Sequence, residues 1–458
     1  GDFSMFRVYA SKDNRPAAYS PQNVPYRPKK HFSISTKGVK EGDFTMIYGF
    51  PGNTQEYILS DAVAYIAERS DPAKIAVRTG RLDIITKAQE SDPALRIHYA
   101  AKHASIANAW KKWQGEALGI DRRGTVAAKF DYETQFGLWS VGRPEYAGVV
   151  MGLRAEYDRI MDAYFAYEIT RETLSTLPAA YTPEERSEEC FARRKFAEQA
   201  LWRHAFREYG RCPKVYRTPS YAEGMARYKS PEAYADALFE AVWEGSDSVA
   251  MQPAVRLREE TKRMLDHISW MLGTKSLRNL NSKILNELYT TYIKGLREWD
   301  RERAFYPDAN LTLRVAYGSV AGYEYADGEY HKPQTTLDGI IAKDNPEIYD
   351  YDIPQSLRDL YASKNYGRWG TVIDGRRTVP VCFLATNHTT GGNSGSPVLN
   401  AGGELIGINF DRTWRSTMSD IAFDPAICRN IAVDIRYVLF VVDRVGGAGY
   451  LLKEMTLK

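Results

Sequence analysis

Three zones of hydrophobic patterning divide the chain. Residues 1 to about 56 carry short apolar alternations, FSMFRVYA (Phe3–Ala10) and DFTMIYGFPGN (Asp43–Asn53), separated by turn-forming residues such as SKDNRP. From about 57 to 300 the apolar residues recur at helical spacing in long Ala-, Glu- and Arg-rich stretches. Examples are RIHYAAKHASIANAWKKWQGEAL (Arg96–Leu118), MGLRAEYDRIMDAYFAYEIT (Met151–Thr170), SEECFARRKFAEQALWRHAF (Ser187–Phe206) and AVRLREETKRMLDHISWML (Ala254–Leu272). After about 301 strand patterns return in NLTLRVAYG, TVPVCFLAT, SPVLN, ELIGINF and NIAVDIRYVLFVVDRV. The expected fold class is α+β, with one β domain made from residues 1–56 and 301–458 and interrupted by a helical insertion over 57–300.

One stretch carries candidate chemistry. TTGGNSGSPVLNAGGELIGINFDRTW (Thr389–Trp414) sets Ser394 among glycines directly before a strand, a Gly-Gly turn and a second strand. Gly, Asn and Ser cluster in turns for backbone reasons alone, so the bare string says little. The β context says more. Pro397 and the β-formers after it exclude the strand-to-helix elbow of the α/β-hydrolases. A serine on a loop entering a hairpin suits instead a trypsin-like site, in which the amides of Gly392 and Ser394 have the spacing of an oxyanion hole.

Composition narrows the partners. With 61 Lys and Arg against 58 Asp and Glu, the formal charge of +3 gives no reason to expect nucleic acid or an anionic membrane. No run approaches the ~18 apolar residues of a membrane span. Cys190, Cys212, Cys382 and Cys428 lie far apart and without metal-ligand spacing, so either disulfides or buried thiols are open, and neither metal nor cofactor is expected.

A serine hydroxyl needs a histidine to take its proton and an acid to orient that histidine. Of seven histidines, His98, His103, His204 and His267 fall in helical patterns, His31 and His331 sit beside Lys in loops, and His388 is six residues before Ser394. In the trypsin-like order of His, Asp and Ser, the best acid is Asp2, directly before a strand pattern. The histidine would then lie on sequence outside this chain.

GDFSMFRVYA, NVPYRPKKHF, YGFPGNTQEY, SIANAWKKWQGEA, GGNSGSPVLNAGGELIGINFDRTW and NIAVDIRYVLF together resemble the bacterial dipeptidyl-peptidases typified by dipeptidyl-peptidases 7 and 11. The resemblance runs from end to end of the chain. It implies a chymotrypsin-like double β-barrel with an inserted α-helical cap, acting on oligopeptides with a free N-terminus. It further implies location in the periplasm or at the surface of a Gram-negative bacterium, and it allows a homodimer. Residue by residue, it makes Ser394 the nucleophile, Asp2 the orienting acid, the amides of Gly392 and Ser394 the oxyanion hole, and Asn108 a ligand for the substrate's amine. Relative to the family the chain begins at the acid, which gives the expectation of an incomplete barrel and of a chain inactive by itself.

Arg412, after Phe410 and Asp411, borders the specificity pocket on this resemblance. Relatives that accept apolar penultimate residues carry glycine there, and those cutting after Asp or Glu carry arginine. A guanidinium fork offers a carboxylate two parallel charge-assisted hydrogen bonds, so release of dipeptides with Asp or Glu second is the expected activity. A surface pair of Arg412 with Asp411 is the structural alternative. The functional alternative is a non-catalytic peptide-binding module on a peptidase-like fold.

Overall fold

The computed structural model describes residues 3–245, 248–274 and 279–458. The chain divides into two compact units: the residues up to Gln55 with Asp308–Lys458, and Glu56–Pro307.

The first unit is built on seven antiparallel strands: β1 (Phe44–Gly49), β2 (Arg314–Ser319), β3 (Gln334–Thr336), β4 (Pro380–Ala385), β5 (Pro397–Leu399), β6 (Leu405–Arg412) and β7 (Asn430–Asp434). Their order is β2-β1-β5-β6-β7-β4-β3, so the N-terminal strand lies between β2 and the strand that follows Ser394. Ile47, Val320, Phe383, Val398, Ile406 and Ala432 fill the sheet's core. An antiparallel bridge between Val320 and Ala385 brings β2 round to β4. The described residues of this unit form one curled sheet with three separate two-stranded ribbons, so the strands and helices of the expected α+β class are present, while the double barrel, expected with its N-terminal part missing, is not seen as closed barrels.

Two strand expectations fail in instructive ways. FSMFRVYA contributes only Tyr9–Ala10 to a short ribbon with Val24–Pro25, and Phe6 is 95% exposed. An alternating pattern makes a strand only where a neighbour covers its apolar face. NIAVDIRYVLFVVDRV is a strand only to Asp434 and helical over Ile435–Phe440. Asp434 causes the switch, because its carboxylate accepts the Arg436 backbone N–H at 2.9 Å and also grips that residue's guanidinium. Its continuous apolar run has no period to separate strand from helix.

The second unit is helical. Helices α1 (Asp71–Ser91) and α2 (Pro93–Arg122) pack as a hairpin. Asp92 breaks it with an extended backbone and caps α2 by accepting the Ala94 N–H at 2.7 Å, while Pro93 opens the helix where its missing N–H costs nothing. Helices α3 (Val149–Glu172), α4 (Lys195–Tyr209), α5 (Ser248–Leu272) and α6 (Lys283–Trp299) follow. Tyr157, Ile160, Phe206 and Phe239 are among the residues of the main core. The predicted helix over Ser187–Phe206 starts only at Lys195, after turns around the buried Arg194. No described helix is long and apolar enough to cross a membrane. All four cysteines are free thiols, three of them buried.

Candidate active site

Ser394 lies in the turn between Thr390 and β5, exposed at the surface of the first unit. The turn is shaped by Gly392, whose φ of +105° is costly for any residue with a Cβ. A Cβ there would also collide with the Phe50 carbonyl oxygen. Gly52 supports the same turn by donating its N–H to the Gly391 carbonyl at 2.6 Å. The YGFPGN segment thus acts as a buttress for the serine loop, a role its sequence did not announce.

Beneath the loop, three buried asparagines form a rail. Asn409 Nδ2 donates to the Asn393 carbonyl at 3.1 Å, and Asn430 Nδ2 donates to Asn409 Oδ1 at 2.9 Å. The Asn393 side chain accepts the Thr390 N–H, and the Gly395 N–H donates to the Asn409 carbonyl. The bonds to the Asn393 carbonyl and from the Gly395 N–H fix the two peptides flanking Ser394, and the other two hold Asn409 and Asn393 in place. The amides of Gly392 and Ser394 themselves donate to no protein acceptor among the described residues, and both residues are exposed. An exposed pair of N–H groups two residues apart is a fit for an anionic oxygen.

Ser394 Oγ donates to the Phe410 carbonyl at 3.3 Å. Phe410 is the bulged residue of β6, where the register with β7 shifts between Asn409 and Asp411. The bulge places Arg412 beside the same loop, with Nη1 at 3.4 Å from the Thr389 carbonyl. Its guanidinium is bonded to Ser419 Oγ at 2.8 Å and, by both terminal nitrogens, to the Asp420 carboxylate at 2.5 and 2.8 Å. The expected alternative of a pair with Asp411 is corrected: the Asp411 carboxylate accepts the Arg412 backbone N–H, and the carboxylate on the guanidinium belongs to Asp420. Ser419 and Asp420, on the short helical segment Trp414–Asp420, carried no motif in the sequence.

His388 Nε2–H donates to the Ser419 carbonyl, 3.1 Å away, and the ring packs on Phe423. Burial pushes its pKa below the usual imidazole value. The other histidines are engaged elsewhere: His31 with Thr456, His98 with Arg194, His103 with Thr86, His204 with Val77, His331 with Glu329, and His267 stacked on Trp270. Asn108 is exposed on α2 of the helical unit, and Asp2 falls outside the described residues.

The one three-ligand grouping of metal-binding type among the described residues is His98, Glu188 and Cys190. Arg194 Nη1 sits on it, 2.6 Å from His98 Nε2 and 3.3 Å from Glu188 Oε2, so a cation already occupies the cluster.

The chain belongs to the peptidase S46 family, whose model matches residues 1–189 and 184–457. It is 40% identical over 503 residues to an Asp/Glu-specific dipeptidyl-peptidase of Capnocytophaga gingivalis, covering 100% of this chain and 69% of the relative. A dipeptidyl-peptidase 7 of Phocaeicola vulgatus is 32% identical over 497 residues, with 100% of this chain and 68% of the relative covered. Among solved structures, Porphyromonas endodontalis DPP11 in complex with the dipeptide Arg-Glu matches with a TM-score of 0.82 at 30% identity, covering 99% of this chain and 70% of that one.

Proposed function

We propose that the protein serves a serine dipeptidyl-peptidase reaction that releases N-terminal dipeptides with Asp or Glu in the second position. The observation that carries the reading is the strand β6, which brings Phe410, the hydrogen-bond partner of Ser394 Oγ, within two residues of a guanidinium anchored to the serine loop. Relatives named for Asp/Glu specificity support it.

In this reading Ser394 Oγ attacks the carbonyl carbon of the substrate's second residue while its proton passes to an imidazole. The oxygen of the tetrahedral intermediate is received by the N–H groups of Gly392 and Ser394. Collapse expels the amine of the shortened peptide, which takes that proton, and water then releases the dipeptide from the ester. Asp2 orients the imidazole, Asn108 holds the free amine, Arg412 receives the acidic side chain, and Phe410 and Asp411 line its approach. The curled sheet is read as part of a chymotrypsin-like peptidase domain. Periplasmic or cell-surface location and pairing as a homodimer are carried into the proposal from the family resemblance.

The second reading, a non-catalytic peptide-binding module, is favoured by one observation: each described histidine is hydrogen-bonded or stacked elsewhere than on Ser394. A panel of fluorogenic dipeptides differing only in the second residue separates the two. Release from Asp and Glu substrates, abolished by Ser394→Ala, establishes the peptidase. Saturable binding of acidic peptides with no release establishes the module.

A further inference from the structure

The ends of four strands meet around Ser394, and their order separates two flanks. The strand after the serine turn, β5, lies between β1 and β6. Its register sets Val398 opposite Ile47 of β1 and opposite Gly407 of β6. Phe50–Gly52, just past β1, therefore run on one side of the serine turn, and Phe410–Arg412 on the other. The first flank is extended outward by β2, because Arg314 pairs with Gly49 and so places Leu311–Leu313 beside Phe50–Gly52. Contacts tie this flank together: the Leu311 N–H donates to the Pro51 carbonyl at 2.9 Å, and a Cβ at Gly52 would lie 2.6 Å from the Gly391 carbonyl oxygen and 3.8 Å from Leu311 Cδ2.

Leu311 is costly where it stands. Its φ is +67°, a left-handed conformation that a bulky side chain resists. The other non-glycine residues with positive φ among the described residues are Asn14, Lys229, Lys364 and Asp374, all of them polar. Burial does not offset the strain, since Leu311 keeps half of its surface exposed, and Phe50 and Leu313 slightly more. Nor is the loop slack. Thr312 Oγ1 donates to Asn310 Oδ1 at 2.7 Å, and the Arg314 guanidinium donates to Thr312 Oγ1, Asn310 Oδ1 and the Asp308 carbonyl at 3.0 to 3.3 Å. This polar knot fixes a strained, outward leucine next to the serine turn with no gain to the core. Strain that the surroundings enforce without benefit to the fold points to function.

We propose that Phe50, Leu311 and Leu313 form a shelf for the leaving part of the substrate and select an apolar third residue. The proposal rests on the peptidase reading: with the acidic second side chain toward Arg412 on the β6 flank and its carbonyl oxygen at the Gly392 and Ser394 amides, the peptide beyond the cleaved bond passes over Gly391–Gly392 onto the β1–β2 flank. Leu311 touches the third side chain there and takes no part in bond breaking. The test compares two tetrapeptides, Arg-Glu-Leu-Gly and Arg-Glu-Gly-Gly, for dipeptide release by the wild type and for binding to Ser394→Ala. The ratio between the peptides is the readout, which cancels any general loss of activity. The wild type is expected to favour the leucine peptide about tenfold in kcat/KM, on the scale of covering part of one leucine side chain. In Leu311→Gly and Leu311→Asn, two residues that accept the left-handed backbone and should keep or raise Tm, the ratio is expected to fall below about threefold. If the wild type releases no dipeptide from either peptide, the peptidase reading fails, and the shelf is judged by the ratio of Kd values in Ser394→Ala with and without the Leu311 changes. No preference for the leucine peptide in release or binding, or the same preference in both Leu311 variants, overturns the proposal.

Discussion

Arg412 and Asp420 form a two-pronged ion pair in which each side chain keeps only 11% of its surface exposed. The residue proposed to read a substrate carboxylate is thus already facing one from its own chain. Removing the cation alone strands a largely buried Asp420 charge, a change that costs about 3–5 kcal/mol in comparable pairs. Loss of acid specificity in Arg412→Gly would then be mixed with loss of stability.

A double-variant design separates these effects. Arg412→Gly is expected to lower Tm and to reduce kcat/KM for Asp and Glu substrates by about 10³, as for a lost buried ion pair. Arg412→Gly/Asp420→Asn should recover most of the Tm without recovering acid cleavage, and should improve on leucine-type substrates relative to wild type. Both are read from melting curves and from the dipeptide panel. Return of Asp and Glu cleavage in the double variant would show that the guanidinium merely neutralises Asp420.

Gly392 is held in a left-handed backbone with the Phe50 carbonyl where a Cβ would be. Gly392→Ala is expected to displace the turn and lower the rate of fluorophosphonate labelling at Ser394 by about 10² or more, the scale of losing one oxyanion donor. Its stability cost is about 1–3 kcal/mol, the range for a strained backbone residue. Labelling at the wild-type rate would mean that the Gly392 amide does not serve the site.

His388 touches the surroundings of Arg412, proposed above to read the acidic side chain, and not the nucleophile, since its Nε2 meets the carbonyl of Ser419, whose hydroxyl accepts from Arg412. His388→Phe should raise KM for acidic substrates several-fold through Ser419 and Arg412, with labelling of Ser394 by a fluorophosphonate changed less than about threefold. A base, by contrast, is worth four or so orders of magnitude. Collapse of labelling to the level of background would make His388 the proton acceptor.

Legibility followed local chemistry. The hairpin behind Ser394 was readable because Asn400 and the Gly402–Gly403 turn specify it directly, with Asn400 Oδ1 accepting the N–H groups of Gly402 and Glu404. Asn409 was readable only as an odd polar residue inside a strand, and its link to Asn393 and Asn430 needed the fold. Asp420 left no trace, because its partner sits on a different element and ion pairing has no periodicity in sequence. Phe3–Val8 misled for the converse reason: an alternating pattern describes a face, and nothing local says whether another strand covers it.

Asn108 is exposed on α2, so a change there tests function without disturbing a core. Asn108→Leu is expected to leave the unfolding free energy within about 0.5 kcal/mol of wild type, as for an ordinary surface substitution. If Asn108 binds the substrate amine, kcat/KM for dipeptide substrates falls by about 10² through a raised KM. Unchanged kinetics would return it to the role of a solvated helix residue.

Asp71 opens α1 fully buried, with Lys74 Nζ 3.0 Å from its Oδ1 and 3.3 Å from Glu168 Oε1. The contact with Lys74 alone would keep Asp71 ionised, but burial outweighs it and, with Glu116 adding repulsion, its carboxyl is pushed up to about 7. For Lys74 burial works against the ammonium, and the carboxylates of Glu168 and Asp71 more than restore it, so its pKa is raised. The folded state therefore holds a proton at Asp71 that the unfolded chain, near pH 4, has released. Between about pH 4 and 7 the native state binds more protons, so this carboxyl's stabilising effect is full below pH 4 and is lost as pH rises through 7. Inside this window the slope has a ceiling of about 1.4 kcal/mol per pH unit, one proton's worth. Asp71→Asn removes the titration while keeping the shape, so its Tm relative to wild type should climb steadily from pH 4 to pH 7 and then level off. Parallel melting profiles of the two proteins across that interval would show that Asp71 stays ionised throughout, held by Lys74.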